Sequence, residues 1–349
     1  MGTTLSSNPA EIPTEIIEES KKELLKDLTV QLKNDIKINK EKHALNPSFY
    51  NHESIQCTTH MGDYVEDNTL LNNLISTLNK LYKNFEKDIA AQILKTCFTQ
   101  AEYKTGDIVK IFEYAASGNF KDICQLFYQT YGMHLLTYHN KNGWQSLHRC
   151  AAKNDVIAAK IYIDLVDNKW EYINSPGVYM KESALFRATL TGATEVVQLL
   201  LETAGEQACY YIMNDNNDRH CSLFDGACNN GYLEVIKLLA NTVGADNIWT
   251  LINLHNENAF ITACSNGQTE IVRFLLEAVG DRKMELILKE NSYKRTGLYY
   301  VSFNNYPKVV KVIIEQAGDR VKELPLYSFI GATETNKGVE IATYLKTFL

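Results

Sequence analysis

The residues best suited to chemistry lie between positions 43 and 63, where His43, His52, Cys57, His60 and Asp63 share one polar, irregular stretch. Cys57 and His60 have the types of a thiolate nucleophile and its base; with His52 and Asp63 they have the types of a metal site. Spacing specifies neither. Zinc sites readable from sequence show two paired ligand groups, and a catalytic thiolate needs a base that the fold places. The alternative is an ordinary loop of locally satisfied polar residues. Elsewhere there is no phosphate loop, Gly-x-Ser-x-Gly elbow, His-Glu-x-x-His helix or kinase motif set. The stretch from 40 to 106 is short for an independent active domain unless the rest of the chain completes the site. The expectation is therefore a chain without catalytic residues, metal or cofactor.

Composition narrows the partner. Of 349 residues, 22% are charged and 45% hydrophobic, as in a folded soluble protein, and the net charge of -7 disfavours nucleic acid. No apolar run is long enough to span a membrane, and the start lacks the flanks of a secretory signal. Met1-Gly-Thr-Thr-Leu-Ser6 fits the permissive pattern for myristoylation at Gly2, but no polybasic run stands nearby to strengthen such an anchor. Eight cysteines without a Cys-x-x-Cys pair read as reduced, buried thiols of a cytosolic protein. The lean toward Asn, Lys, Ile and Tyr is that of AT-rich genomes.

The elements that would position the 43–63 stretch are helical. Residues 1–19 carry Pro9 and Pro13 and few large apolar side chains, which predicts a flexible lead. Ile12-Pro-Thr-Glu-Ile-Ile-Glu-Glu19 resembles the opening of an F-box, which implies recruitment of a ubiquitin-ligase core. The next residues, Ser20 to Leu28, run on as a charged amphipathic helix, and a second half of that motif is missing. Leu24, Leu25, Leu28, Leu32 and Ile36 repeat at helical spacing until Asn46-Pro47 breaks the pattern. From Asn68 to Ala101 a broad apolar stripe predicts one bent helix or two. Residues 20–106 are read as an α-helical N-terminal domain that caps the remainder of the chain.

From about residue 107 the chain is a repeat. Thr191-Gly-Ala-Thr-Glu-Val-Val-Gln-Leu-Leu-Leu201 returns as Asn230-Gly-Tyr-Leu-Glu-Val-Ile-Lys-Leu-Leu-Ala240, Asn266-Gly-Gln-Thr-Glu-Ile-Val-Arg-Phe-Leu-Leu276 and Asn304-Asn-Tyr-Pro-Lys-Val-Val-Lys-Val-Ile-Ile314, with weaker copies at 117–127 and 153–163. Taking Gly118, Asn154, Gly192, Gly231, Gly267 and Asn305 as anchors, the spacings are 36, 38, 39, 36 and 38 residues. Such a period means an array of stacked repeats, each a helix, a turn at the anchor, a second helix and a loop. Seven residues before each anchor stands an apolar residue (Ile111, Leu147, Leu185, Phe224, Phe260, Leu298), and small residues cluster three and four before it.

Asn142-Gly-Trp-Gln-Ser-Leu-His-Arg-Cys-Ala-Ala152 is similar to the Gly-x-Thr-Pro-Leu-His-x-Ala-Ala run of the ankyrin repeat family, and Thr194 to Leu200 with its copies resembles that family's second helix. The resemblance covers residues 107–349. It implies an all-α, ankyrin-like helical-repeat solenoid of about six to seven repeats with a C-terminal cap. The period exceeds the family's roughly 33 residues. The surplus has its own pattern, as in Val279-Gly-Asp-Arg-Lys-Met-Glu-Leu-Ile287 and Ala317-Gly-Asp-Arg-Val-Lys-Glu-Leu324, which predicts an extra short helix in each repeat.

The resemblance implies a non-enzymatic monomer that binds a partner protein on its concave face, through loop tips and the exposed side of each first helix. Mapped repeat by repeat, the contact residues are Lys141, Asn142, Trp144 and Arg149, then Tyr179, Met180 and Arg187, then Asp218 and Arg219, then His255, then Tyr293, Arg295 and Tyr300. It makes His148 structural, bonding the backbone of the neighbouring repeat. Degenerate repeats and AT-rich composition also resemble the ankyrin effectors that intracellular bacteria of the Legionella and Coxiella type deliver into a host cytosol, which implies a host protein as partner. An enzyme using the 43–63 loop and a ubiquitin-ligase adaptor acting through 12–28 stay open as alternatives.

Overall fold

The computed structural model describes residues 14–45, 69–85, 87–100, 105–178, 181–214, 222–254, 258–326, 329–330 and 339–349. Helix α1 runs Thr14–Leu45, so it begins inside the stretch 1–19 read as a lead and ends where Asn46-Pro47 opposes helix. Leu28, Leu32 and Ile36, each a turn apart, are buried along one side of it. The apolar stripe beyond divides into α2 (Thr69–Asn84) and α3 (Lys87–Gln100). Next come α4 (Thr105–Ser117), α5 (Lys121–Tyr131) and the short α6 (His134–Thr137).

The chain divides into two compact units, 1–136 and 137–349. The first copy of the repeat, α4 with α5, therefore lies in the N-terminal unit, and the division falls 30 residues later than the expected boundary at 106. The reason is shared packing. Helix α5 lies against α2 and α3, and Phe127 of α5 meets Phe98 of α3 edge-on at 5.9 Å. Thr77 Oγ1 donates to Asp35 Oδ2 at 2.7 Å, tying α2 to α1.

In the second unit the pattern repeats as triplets. They are α7 (Ser146–Lys153), α8 (Val156–Leu165) and α9 (Lys169–Ile173); α10 (Ala184–Thr191), α11 (Thr194–Ala204) and α12 (Ala208–Asn214); α13 (Leu223–Asn230), α14 (Leu233–Val243) and α15 (Ala245–Ile252). Then come α16 (Ala259–Ser265), α17 (Thr269–Ala278) and α18 (Lys283–Leu288), and α19 (Gly297–Phe303) with α20 (Pro307–Ala317) and a 3-10 turn over Gly318–Glu323. Helix α21 (Val339–Lys346) closes the chain. First helices stack on first helices and second on second, while each extra helix, from α9 to α18, packs against the second helix of the next repeat. The extra helix thus adds a seam between neighbours. Among the described residues there is no strand; Glu290 and Thr296 form an isolated antiparallel bridge.

From α10 onward each first helix is both started and stopped by identifiable chemistry, whereas α7 starts at Gln145 without a side-chain cap. Ser183, Ser222, Asn258 and Thr296 accept backbone N–H bonds at the starts of α10, α13, α16 and α19, so the degenerate copies keep their caps. The stop is a left-handed residue at Asn154, Gly192, Gly231, Gly267 and Asn305, as the anchors predict. At the first copy the left-handed residue is Asn119 (φ 61°) rather than Gly118, which corrects the register by one. The corrected register puts Phe112, not Ile111, in line with Leu147, Leu185, Phe224, Phe260 and Leu298, all fully buried. Ala115 and Ala116 then fall in line with the other small buried pairs.

Two further devices fix neighbour to neighbour. The residue before the anchor donates backward: Thr191 Oγ1 to the Ala151 carbonyl (3.0 Å), Asn230 Nδ2 to Leu190 (3.3 Å) and Asn304 Nδ2 to Ser265 (2.9 Å). The residue after the anchor covers the preceding anchor. A Cβ on Gly192 would lie 2.6 Å from the Tyr232 ring, one on Gly231 2.8 Å from Gln268, and one on Gly267 2.8 Å from Tyr306. Where the anchor carries a side chain, at Asn154, the corresponding residue shrinks to Ala193, and Asn154 bonds the Glu195 carboxylate and the Val196 N–H instead.

From the second triplet on, the surplus also has its own glycine, whereas α9 is entered through Val166 to Asn168. At the end of the second helix Gly205 (φ 54°, ψ -123°), Gly244 (φ 78°, ψ 167°) and Gly318 (φ 55°, ψ -133°) turn the chain through backbone angles essentially closed to other residues. That requirement explains why each Gly-Asp-Arg or Gly-Ala-Asp surplus begins with glycine.

Candidate protein-binding face

Two hairpin tips of the second unit share one construction. Asn140 Oδ1 accepts from the backbone N–H groups of Asn142 and Trp144, both at 3.0 Å, and Gly143 takes φ 71°. Asn291 Oδ1 accepts from Tyr293 (3.0 Å) and Arg295 (3.2 Å), and Lys294 takes φ 58°. An asparagine side chain that satisfies two turn donors holds the tip in one shape without any ligand. These tips carry five of the expected contact residues: Lys141, Asn142, Trp144, Tyr293 and Arg295.

The first tip is braced from both sides. The Arg149 guanidinium donates to the Trp144 carbonyl, to Tyr138 O at 3.4 Å and to Ser146 Oγ at 2.9 Å, so this expected contact residue is turned inward on its own hairpin. Arg187 lies over the Trp144 ring, 4.5 Å from its centroid, and pairs with the buried Glu182 carboxylate. Trp144 and Arg187 therefore form one cation-on-ring platform, half-buried, with Lys141 exposed beside it in sequence. His148 Nε2 is 2.8 Å from the Glu182 carbonyl, a bond that reaches 34 residues into the next repeat and ties the two hairpins together. Burial lowers the His148 imidazole to about 4, so it is neutral near pH 7 and donates from Nε2.

The second tip is open. Tyr293 is 72% exposed, and Arg295 is exposed with its guanidinium 4.8 Å from the Tyr299 ring centroid. Tyr299 stacks nearly parallel on Phe303 at 5.9 Å and meets Tyr300 edge-on at 5.5 Å. Tyr300 OH is bonded by Asn291 Nδ2 at 3.1 Å, which fixes that ring to the hairpin. Tyr299 and Phe303 are not among the expected contacts; their four-residue spacing along α19 is a signal, masked by its similarity to a core stripe. Tyr179, Met180, Asp218, Arg219 and His255 lie outside the described residues, as do His52, Cys57, His60 and Asp63.

Four of the described thiols are held in their unreactive, protonated form by burial. Cys97, Cys124, Cys150, Cys228 and Cys264 are buried and Cys209 half-buried. Burial pushes Cys124 up to about 12 and raises Cys97, Cys228 and Cys264 as well. Among the described residues no three His, Cys, Asp or Glu side chains gather as metal ligands, and no helix is long and apolar enough to cross a membrane.

No curated protein matches the sequence. Among solved structures, the ankyrin repeat domain of human ASB11 is similar at 19% identity, covering 60% of this chain and 84% of that one, with a TM-score of 0.44. The family model for ankyrin repeats matches residues 223–323 in three copies, from the start of α13 through the turn after α20. Those residues are ankyrin repeats, and the second unit is an all-α helical-repeat solenoid in which each repeat through α18 carries an added short helix.

Proposed function

We propose that this chain is a non-enzymatic binding protein that grips a partner protein with the hairpin tips and first helices of its second unit. Ankyrin repeats indicate a protein-interaction scaffold. The observation that supports the face is the pair of Asn-braced tips, each presenting an aromatic ring next to an arginine: Trp144 with Arg187, and Tyr293 with Arg295. Preshaped aromatic and arginine anchors bury large area at small entropic cost. From the degenerate repeats and the AT-rich composition, we extend the reading to a bacterial effector. It would work as a monomer in a host cytosol on a host protein, with no cofactor. A net charge of -7 supports protein over nucleic acid as the partner.

Affinity capture from eukaryotic cell lysate tests this reading, comparing wild type with a Trp144→Ala, Tyr293→Ala, Arg295→Ala triple variant. A specifically bound protein that the triple variant loses supports the face. One that the triple variant keeps contradicts it and turns attention to residues 1–136, where the Cys57 loop and the F-box-like segment lie.

A further inference from the structure

We propose that the α19 end of the second unit is a docking site for an acidic peptide segment of the partner protein, a segment that carries an apolar or aromatic anchor. This inference rests on reading the array as a binding module and names the chemistry of what it binds. The argument starts from the arginines. Among the described residues of this unit, Arg187, Arg273, Arg282 and Arg320 each face a carboxylate, and Arg149 is held by the Trp144 and Tyr138 carbonyls. Among the described residues Arg295 has only the Tyr299 ring beneath it, and Lys294 beside it on the tip forms no ion pair.

The arginine is thus oriented by an aromatic platform, and no described group occupies its outward N–H donors. An arginine fork of this kind suits a carboxylate, which it can take through two parallel bonds. The apolar half of the site is adjacent. Phe303 is 41% exposed and stacked on Tyr299, and Tyr293 stands out from the same hairpin that carries Arg295. Over residues 289–308 the formal charge is +3, from Lys289, Lys294, Arg295 and Lys308 against Glu290, within a chain of net -7. A basic segment in an otherwise acidic chain favours acidic partners at this segment over the rest. The neighbouring first helix offers Thr262, Ser265 and Asn266 toward solvent, so the aromatic cluster is set off by polar surroundings.

The test is selection of a displayed random-peptide library on the full-length chain. The affinity of synthesised winners is then measured by fluorescence polarisation against wild type, Arg295→Glu, Phe303→Ser and Trp144→Ala. The proposal predicts winners rich in Asp and Glu around an aromatic or aliphatic residue. Their affinity should fall about tenfold or more in Arg295→Glu and in Phe303→Ser, and it should weaken with added salt. All three positions retain some exposure, and a circular dichroism spectrum matching wild type shows that each variant is folded. Winners that are basic or neutral, or that bind Arg295→Glu as well as wild type, overturn the proposal. If such winners are instead lost in Trp144→Ala, the array still binds and only the assignment of the α19 end fails. Winners indifferent to all three variants overturn both the assignment and the wider reading. Preference for a single-stranded oligonucleotide over any peptide, or self-association by sedimentation that Arg295→Glu abolishes, also overturns it by naming a different occupant.

Discussion

Replacing Gly192 by alanine combines two costs that the structure separates. The residue sits at φ 71°, ψ 23°, a left-handed conformation in which an alanine is strained by about 1–2 kcal/mol. Its new Cβ would also fall 2.6 Å from Cδ1 and Cε1 of Tyr232, the residue of the next repeat that covers this anchor. Displacing that ring adds an overpacking cost of about 1–3 kcal/mol, for a total of about 2–5 kcal/mol. Tyr232→Ala removes the obstacle but not the backbone strain. Gly192→Ala should therefore cost only about 1–2 kcal/mol in the Tyr232→Ala background. The double-mutant cycle should show a coupling of about 1–3 kcal/mol. Urea unfolding of the four proteins, monitored by circular dichroism, measures it. Equal losses from Gly192→Ala in both backgrounds would refute the reasoning that the ring and the anchor form the contact between repeats.

Three further outcomes depend on single groups. His148 titrates at about 4 when folded and near 6.5 when unfolded, so the unfolded chain binds the proton more readily between these values. Its contribution is complete above about pH 6.5 and is lost as pH falls toward 4, by about 3 kcal/mol, so His148→Gln should flatten the stability profile in that window. A profile whose slope is unchanged in the variant would count against the assignment. Gly244→Ala places its Cβ where nothing lies within 4 Å, so its cost, about 1–3 kcal/mol in thermal or urea unfolding, is backbone strain alone. No loss at all would mean that the turn into α15 relaxes freely. Cys124, Cys228 and Cys264, raised by burial, should resist a maleimide at neutral pH until the chain unfolds. Mass spectrometry would show early labelling at these sites if the packing is looser than described.

Much of this architecture is legible in the sequence because each repeat needs the same few things at the same places. An apolar residue seven before a left-handed turn and a small pair beside it can be read by eye, and so can a glycine at the entry to the extra helix. The register of the first copy is ambiguous in sequence because Gly118 and Asn119 are adjacent and both tolerate positive φ. The small pair Ala115-Ala116 is the better guide, since packing between neighbouring helices tolerates less variation than the turn. Arg149 and Arg187 look alike on paper as exposed anchors. Their partners, a hairpin carbonyl and a carboxylate with a ring from the preceding tip, are set by contacts between repeats that no local pattern encodes. The same holds for the division at 136, which depends on α5 meeting α2 and α3 across a long separation in sequence.

The central claim is that the tips and first helices of the second unit hold the partner. Hydrogen exchange of the full-length chain with and without its captured partner tests it most directly. The account predicts slowed exchange confined to the tips around 140–144 and 291–295 and to α7, α10 and α19. Protection falling instead on α1 to α5, with those tips unchanged, would contradict it.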